Sequence, residues 1–208
     1  MPTQNLGAVV ATRKSGTEPL TIDGNSLGVD LQAFWQWSSS DVLSNSLRGV
    51  LAEYIVATAL GCNTGVRTQW DAYDIKTESG IRIEVKSAAY LQSWSQKALS
   101  PISFSVAPAL GWDAEAGARS KEKIRPADVY VFCLLAHQDK SNVNPLDLNQ
   151  WEFYCLNTQA LNQAIGSQRN ITLSRLQKLG PVKANYLDVA KAILAVTDNE
   201  VAQLCLNA

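Results

Sequence analysis

From Trp70 to Ala88 the chain reads WDAYDIKTESGIRIEVKSA, and within it Ile81, Ile83 and Val85 alternate with Arg82, Glu84 and Lys86. Side chains along a strand point to opposite faces in turn, so the pattern predicts a half-buried strand with Glu84 beside Lys86 on its outer face. The preceding YDIK predicts a second strand with Ile75 as its core residue. With Glu78, Ser79 and Gly80 as the turn, both apolar sets share one face only when paired residue numbers sum to an even value. That register pairs Thr77 with Ile81 and Asp74 with Glu84, which sets two carboxylates opposite each other. Like charges so placed destabilise a sheet unless something neutralises them, and a divalent cation with oxygen ligands does so. Asp71 has the parity of Ile75 and would point to the core face if the strand reached it, so Asp74 is the preferred ligand.

The remainder of the chain predicts one well-cored α/β domain. Its 208 residues are 46% hydrophobic and 18% charged, enough apolar surface for a single core and too little charge for a disordered chain. The net charge of −1 excludes a uniformly basic nucleic-acid binder, so any polyanion site is local. No apolar run is long enough to span a bilayer, and MPTQNLGAVVATRKSG lacks the charge order of a secretory signal, so a cytoplasmic location is expected. Cys62, Cys133, Cys155 and Cys205 show no metal-ligand spacing, and Cys133 in VYVFCLLA reads as core. The single histidine, His137, excludes histidine-dense metal sites and counts against a histidine general base.

Along the chain, residues 1–28 are predicted as an arm or loop with a short strand at PLTID, and 29–208 as the single domain. A helix begins near VDLQAFWQW. A second follows in SSSDVLSNSLRGVLAEYIVATALG, with Leu47, Val50, Leu51, Tyr54, Ile55 and Thr58 on its apolar face and Gly61 as its C-cap. After the hairpin come a short strand at ISFSVA, a buried central strand at VYVFCLLA, a further strand at WEFYCL, and helices at TLSRLQKLG and ANYLDVAKAILAV. This order predicts a layered α/β domain with a mixed sheet.

Asp74, a ten-residue interval, and then Glu84-Val85-Lys86 resemble the D-x(n)-E-x-K signature of the PD-(D/E)xK, or restriction endonuclease-like, nuclease superfamily. The preceding helix, with Glu53 embedded in it, is similar to that superfamily's first core helix; the residue before Asp74 is Tyr73 where the motif often has proline. The resemblance spans Arg48 to about Gln96, and ADVYVFCLL fits a later core strand. It implies a three-layer α/β/α sandwich around a central mixed sheet, and Mg²⁺-dependent phosphodiester hydrolysis with Mn²⁺ able to substitute. On that reading Glu53, Asp74 and Glu84 are metal ligands, and Lys86 positions the attacking water or stabilises the pentacovalent charge. Gln92 or Gln96 would support the metal or the phosphate.

Three further features bear on function. Arg119, Lys121, Lys123 and Arg125, with Trp94 and Trp112 upstream, form a basic cluster that either tracks a phosphate backbone or is a solvated loop. The tryptophans of FWQW read as core or interface anchors rather than base stackers. GNSLG matches a G-x-S-x-G nucleophile elbow, but the strands that precede a true elbow cannot fit so near the N-terminus. The expected function is therefore a Mg²⁺-dependent endonuclease acting on DNA, of a restriction, repair or mobile-element type. The alternative is a non-catalytic nucleic-acid-binding or assembly module on the same fold. Cutting both strands of a duplex with one site per chain would favour a homodimer.

Overall fold

The computed structural model describes residues 6–7, 9–68, 71–110, 112–113, 118–119 and 122–206. Two compact units divide the chain: Met1–Ser40 with Thr64–Arg67, and Asp41–Asn63 with Thr68–Ala208.

In the first unit, strands β1 (Pro19–Ile22) and β2 (Asn25–Asp30) form an antiparallel hairpin, followed by helix α1 (Leu31–Ser39). The sequence predicts an arm or loop through residue 28 with a short strand at PLTID; β1 is that strand, and its pairing with β2 makes a hairpin of the segment. The hairpin closes on Asp23 and Gly24 at φ 49° and 79°, the paired positive values that a two-residue primed turn requires and that Asp-Gly favours. Ser26 of GNSLG lies in β2, with no strand-to-helix elbow around it. Asp30 starts α1 by accepting a hydrogen bond from the Ala33 N–H at 2.8 Å. Phe34, Trp35 and Trp37 are all exposed on this helix, so the FWQW tryptophans are not core anchors within it.

The second unit is built on a five-stranded mixed sheet. Its elements, in chain order, are α2 (Asn45–Ala59), β3 (Ile75–Lys76), β4 (Arg82–Ala89), β5 (Ser103–Ser105), β6 (Trp112–Asp113), β7 (Ala118–Arg119), β8 (Val129–Leu135), β9 (Trp151–Asn157), α3 (Thr158–Ile165), β10 (Asn170–Thr172), α4 (Leu173–Lys178), β11 (Val182–Ala184) and α5 (Val189–Leu206). The central sheet runs β11-β9-β8-β4-β3, with β4 and β8 parallel and the other pairs antiparallel. β8 is central and buried along its whole length, as its unbroken apolar run requires. Two short antiparallel pairs, β5 with β10 and β6 with β7, lie outside it.

Alternation along the strands separates two cores. Ile83 and Val85, with Val131 and Cys133, pack with α2 and α5; Ala88, Tyr130, Phe132 and Leu134 pack with Phe104, α3 and α4. The result is a three-layer α/β/α sandwich. Each fully buried side chain such as Phe132 or Ile193 contributes about 1.5–3 kcal/mol.

One face was misread from the sequence. In α2 the buried residues are Arg48, Ala52, Ile55 and Val56, while Val50 and Tyr54 are exposed. Ala52, Ile55 and Val56 form the side that meets the sheet, and Tyr54, about 200° round the helix from Ala52, faces outward. The C-cap holds as expected: Gly61 has φ 70°, and the Cys62 N–H donates to the Ala57 carbonyl at 2.8 Å. Helix α3 was not expected, although Asn157 caps its start and Gly166 ends it. Among the described residues no helix is long and apolar enough to cross a membrane.

Candidate active site at the edge of the central sheet

The β3–β4 hairpin has the expected register: Ile75 pairs with Ile83 and Lys76 with Arg82. Thr77 and Ile81 close the ladder, the Thr77 N–H donating to the Ile81 carbonyl at 3.0 Å. Gly80, at φ 90°, makes the turn that a side chain would strain. The regular pairing stops at Ile75; the Asp74 N–H still donates to the Ile83 carbonyl at 3.0 Å, but beyond it no described residue of this strand pairs with β4. Had pairing gone on, the Tyr73 carbonyl would face the Val85 N–H. Instead the Asp74 carboxylate takes that donor, its Oδ2 accepting from Val85 at 2.7 Å. The acid is thereby pinned to the open edge of β4. Asp71 is exposed and accepts from the Thr68 hydroxyl, because the strand does not extend to it.

Asp74 is pushed up to about 7, by burial first and then by the charges of Glu84 and Glu53, against the opposing pull of the Val85 N–H and of Lys86. Glu84 comes from β4 and Glu53 from α2, on the helix that packs against the other sheet face. An acid at the sheet edge can feel both. Lys86 Nζ donates to Glu84 Oε1, as two residues on one strand face should. Both are partly buried, with side-chain exposures of 27% for Lys86 and 18% for Glu84. The structure thus brings Asp74, Glu84, Lys86 and Glu53 into one electrostatic neighbourhood. Among the described residues no three of His, Cys, Asp and Glu are already gathered as a metal-holding group. The donor set is nevertheless all carboxylate oxygen, the chemistry that suits a hard divalent cation.

Sequence reasoning missed Tyr130. It stands opposite Glu84 across the parallel β4–β8 pair, is 3% exposed, and is pushed well up by burial and by the charge of Glu84. The signal was available, since Tyr130 carries the one hydroxyl in VYVFCLL. At the strand's start Asp128 pairs with Arg82, accepting from its backbone N–H at 2.9 Å and from Nε at 3.1 Å, which ties β8 to β4.

Gln92 and Gln96 are committed to the segment after β4. Gln92 donates from Nε2 to the Ala89 carbonyl at 3.1 Å and to Ser100 Oγ at 3.2 Å. Gln96 accepts from the Gln92 N–H at 2.7 Å and donates to the Tyr90 carbonyl at 3.1 Å. Both amides hold this turn together, and no hydrogen bond joins either of them to Asp74 or Glu84 among the described residues.

The basic cluster separates into different residues. Arg125 is 7% exposed and turned inward. Its Nε donates to the Val106 carbonyl at 2.7 Å, Nη1 to Asn162 Oδ1 at 2.6 Å and to the Gly166 carbonyl at 2.8 Å, and Nη2 to the Gln168 carbonyl at 3.0 Å. These bonds make it a clamp between the β5 and α3 regions, in place of the open phosphate contact expected of it. Lys123 is exposed. Lys121 lies outside the described residues, as do the side chains of Arg119 and Trp112. Trp94 is half-exposed, and its carbonyl accepts from Lys140.

No curated protein sequence matches the chain. The family model described as bacteriophage T4 endonuclease IV matches residues 13–185, a span that contains both sheet-edge acids, Lys86, Glu53 and Tyr130. With most of its length covered by that nuclease family, the chain belongs to the bacteriophage T4 endonuclease IV family.

Proposed function

We propose that the protein is a Mg²⁺-dependent endonuclease that hydrolyses phosphodiester bonds of DNA, with a site of the PD-(D/E)xK type. The observation that carries this reading is Asp74: a mostly buried acid held at the sheet edge by the Val85 N–H and raised to about 7 by its burial and two neighbouring carboxylates. A fold keeps such an acid when it serves as a cation ligand or in proton transfer. Glu53, Asp74 and Glu84 would hold the metal, with Mn²⁺ able to replace Mg²⁺. The bound cation would supply charge neutralisation at the scissile phosphate and a bound water of lowered pKa.

The protein's own groups do the rest. Lys86, held beside Glu84, orients the attacking water or meets the charge that develops on phosphorus. Tyr130, buried, stands opposite Glu84 on the next strand. Gln92 and Gln96 fix the loop leaving β4. Lys123, with Lys121, would contact the strand's phosphates outside the reacting centre.

A cleavage assay on plasmid and on single- and double-stranded oligonucleotides, with Mg²⁺, with Mn²⁺ and with EDTA, tests the reading. Glu84→Ala and Lys86→Ala should each lower the rate at least about a hundredfold, a loss of roughly 3 kcal/mol of transition-state stabilisation. Lys86→Ala should leave Mg²⁺ binding intact and Glu84→Ala should not. A Glu84→Ala protein with full activity would remove the assignment.

A further inference from the structure

The segment that ends at Ser40 is well connected but has almost no interior of its own. Helix α1 is tied to the stretch before the hairpin, its Leu31 N–H donating to the Glu18 carbonyl at 3.0 Å and its Gln32 N–H to the Gly16 carbonyl at 2.8 Å. Trp35 lies over Gly16 so closely that a Cβ there would stand 3.0 Å from the indole. Yet Gly16 is the one buried residue among those described up to Ser40. A two-stranded hairpin is marginal in water, and a segment with no buried side chain has little to offset its lost conformational entropy. Its stability calls for a covering surface.

The register of the hairpin shows which side is open. Pro19 pairs with Asp30 and Thr21 with Ser26, which puts these four on one face. Alternation then sends Leu20, Ile22, Leu27 and Val29 to the other face, and all four are exposed, Ile22 by 62%. On α1, Phe34 and Trp37 stand three residues apart on one side of the helix and are exposed too, Trp37 by 84%. At about 150–250 Å² per ring and about 60–120 Å² per aliphatic side chain, the exposed fractions of these six come to roughly 450 Å² of apolar surface. An interface is about 56–65% apolar, so they suit a contact of roughly 750 Å² per partner, close to the ~800 Å² of a stable pair. Charge narrows the occupant. From Pro19 to Leu47 the sequence has no Lys or Arg, so a nucleic-acid strand finds no cation on this stretch. Its acids lie off the apolar face: Asp23 is in the hairpin turn, and Asp30, on the opposite face, caps α1 through the Ala33 N–H. A face with no charge of either sign can meet its own copy without setting like charges together.

We propose that the apolar face of the β1–β2 hairpin, with Phe34 and Trp37 of α1, docks on the same face of a second copy of this chain and makes a twofold-symmetric dimer. Such a contact is self-complementary, so one apolar face completes both copies at once. Trp37, the most exposed ring, is its anchor. The dimer is independent of the nuclease reading, because none of its residues belongs to the Asp74, Glu84 and Lys86 site.

The test is the mass of the full chain in EDTA, by sedimentation equilibrium over a wide range of concentration. The wild type should approach twice the 22.6 kDa of one chain. Trp37→Ala, in which alanine suits the helix, should raise the dimer dissociation constant about thirtyfold, which is roughly 2 kcal/mol. Ile22→Lys and Ile22→Glu should each be monomeric, since each sets its charge against its own copy, and an equimolar mixture of the two should regain the dimer. Circular dichroism checks the fold of every variant, and if an Ile22 variant does not fold, Trp37→Ala decides alone. A wild type that keeps the mass of one chain at every concentration overturns the proposal. So does a dimer whose dissociation constant is unchanged in Trp37→Ala, since its contact would lie elsewhere, and so does a mixture of folded Ile22 variants that stays monomeric. A monomeric wild type that binds a single-stranded oligonucleotide, and loses that binding with Trp37→Ala, would give the face to nucleic acid and overturn the dimer as well.

Discussion

Asp74→Asn separates the cost of a buried acid from its use. The carboxyl has an ordinary value of 3.8 and is raised to about 7 in the folded protein. A raised acid holds its proton in the native state after the unfolded chain has lost it, so its contribution to stability is full below about pH 4 and is lost as pH rises through 7. At 1.36 kcal/mol per unit, the loss between those limits is roughly 4 kcal/mol for a group buried to this degree. Asparagine keeps an oxygen for the Val85 N–H and carries no charge, so it behaves as the permanently protonated acid. In EDTA at pH 8, D74N should therefore melt higher than the wild type by about 10 °C, at 2–4 °C per kcal/mol for a chain of this size. At pH 4 the two should melt together. Mg²⁺ at pH 8 should raise the wild type, by roughly 2.7 kcal/mol at a hundred times its dissociation constant, and raise D74N much less. Circular dichroism melts of both proteins at matched ionic strength, at pH 4, 6 and 8, decide it. A wild type whose stability does not fall from pH 4 to pH 8 relative to D74N would refute the buried-acid argument. A Mg²⁺ shift equal in the two proteins would refute Asp74 as a ligand.

Arg125→Ala leaves the Val106, Gly166 and Gln168 carbonyls without their donor, so it should cost about 3 kcal/mol or more in urea unfolding while leaving the salt slope of nucleic-acid binding unchanged. Lys123→Ala should do the reverse, with stability within about 0.5 kcal/mol of wild type and a slope reduced by about 0.9 on duplex DNA measured in Ca²⁺. Ala52→Leu, at a fully buried position against the sheet, should cost about 1–3 kcal/mol by overpacking, whereas Tyr54→Ala on the exposed face should be nearly neutral in the same assay.

Much of the fold was legible because its signals are local. A period of two over Ile81, Ile83 and Val85, with a glycine that can take φ 90°, determines both the strand and the register of its hairpin. The unbroken apolar run Val129–Leu135 determines a strand covered on both faces. Parity also placed Glu84 beside Lys86, since neighbours at i and i+2 need no tertiary information.

Tertiary structure decided what depends on other segments. Parity set Asp74 opposite Glu84, but only the early end of β3 and the vacant Val85 N–H turned its carboxylate to the sheet edge. The buried face of α2 was decided by which of its sides the sheet and α5 cover, and an apolar stretch holding both Ala52 and Tyr54 as near neighbours in sequence does not specify that. Arg125 and Lys123 look alike in sequence, and only acceptors 19 to 43 positions away in the chain made one a buried clamp. Arg48 shows the same limit: its burial, with hydrogen bonds to Leu43, Asn45 and the distant Gln92, depends on what packs around it, which a linear sequence does not record.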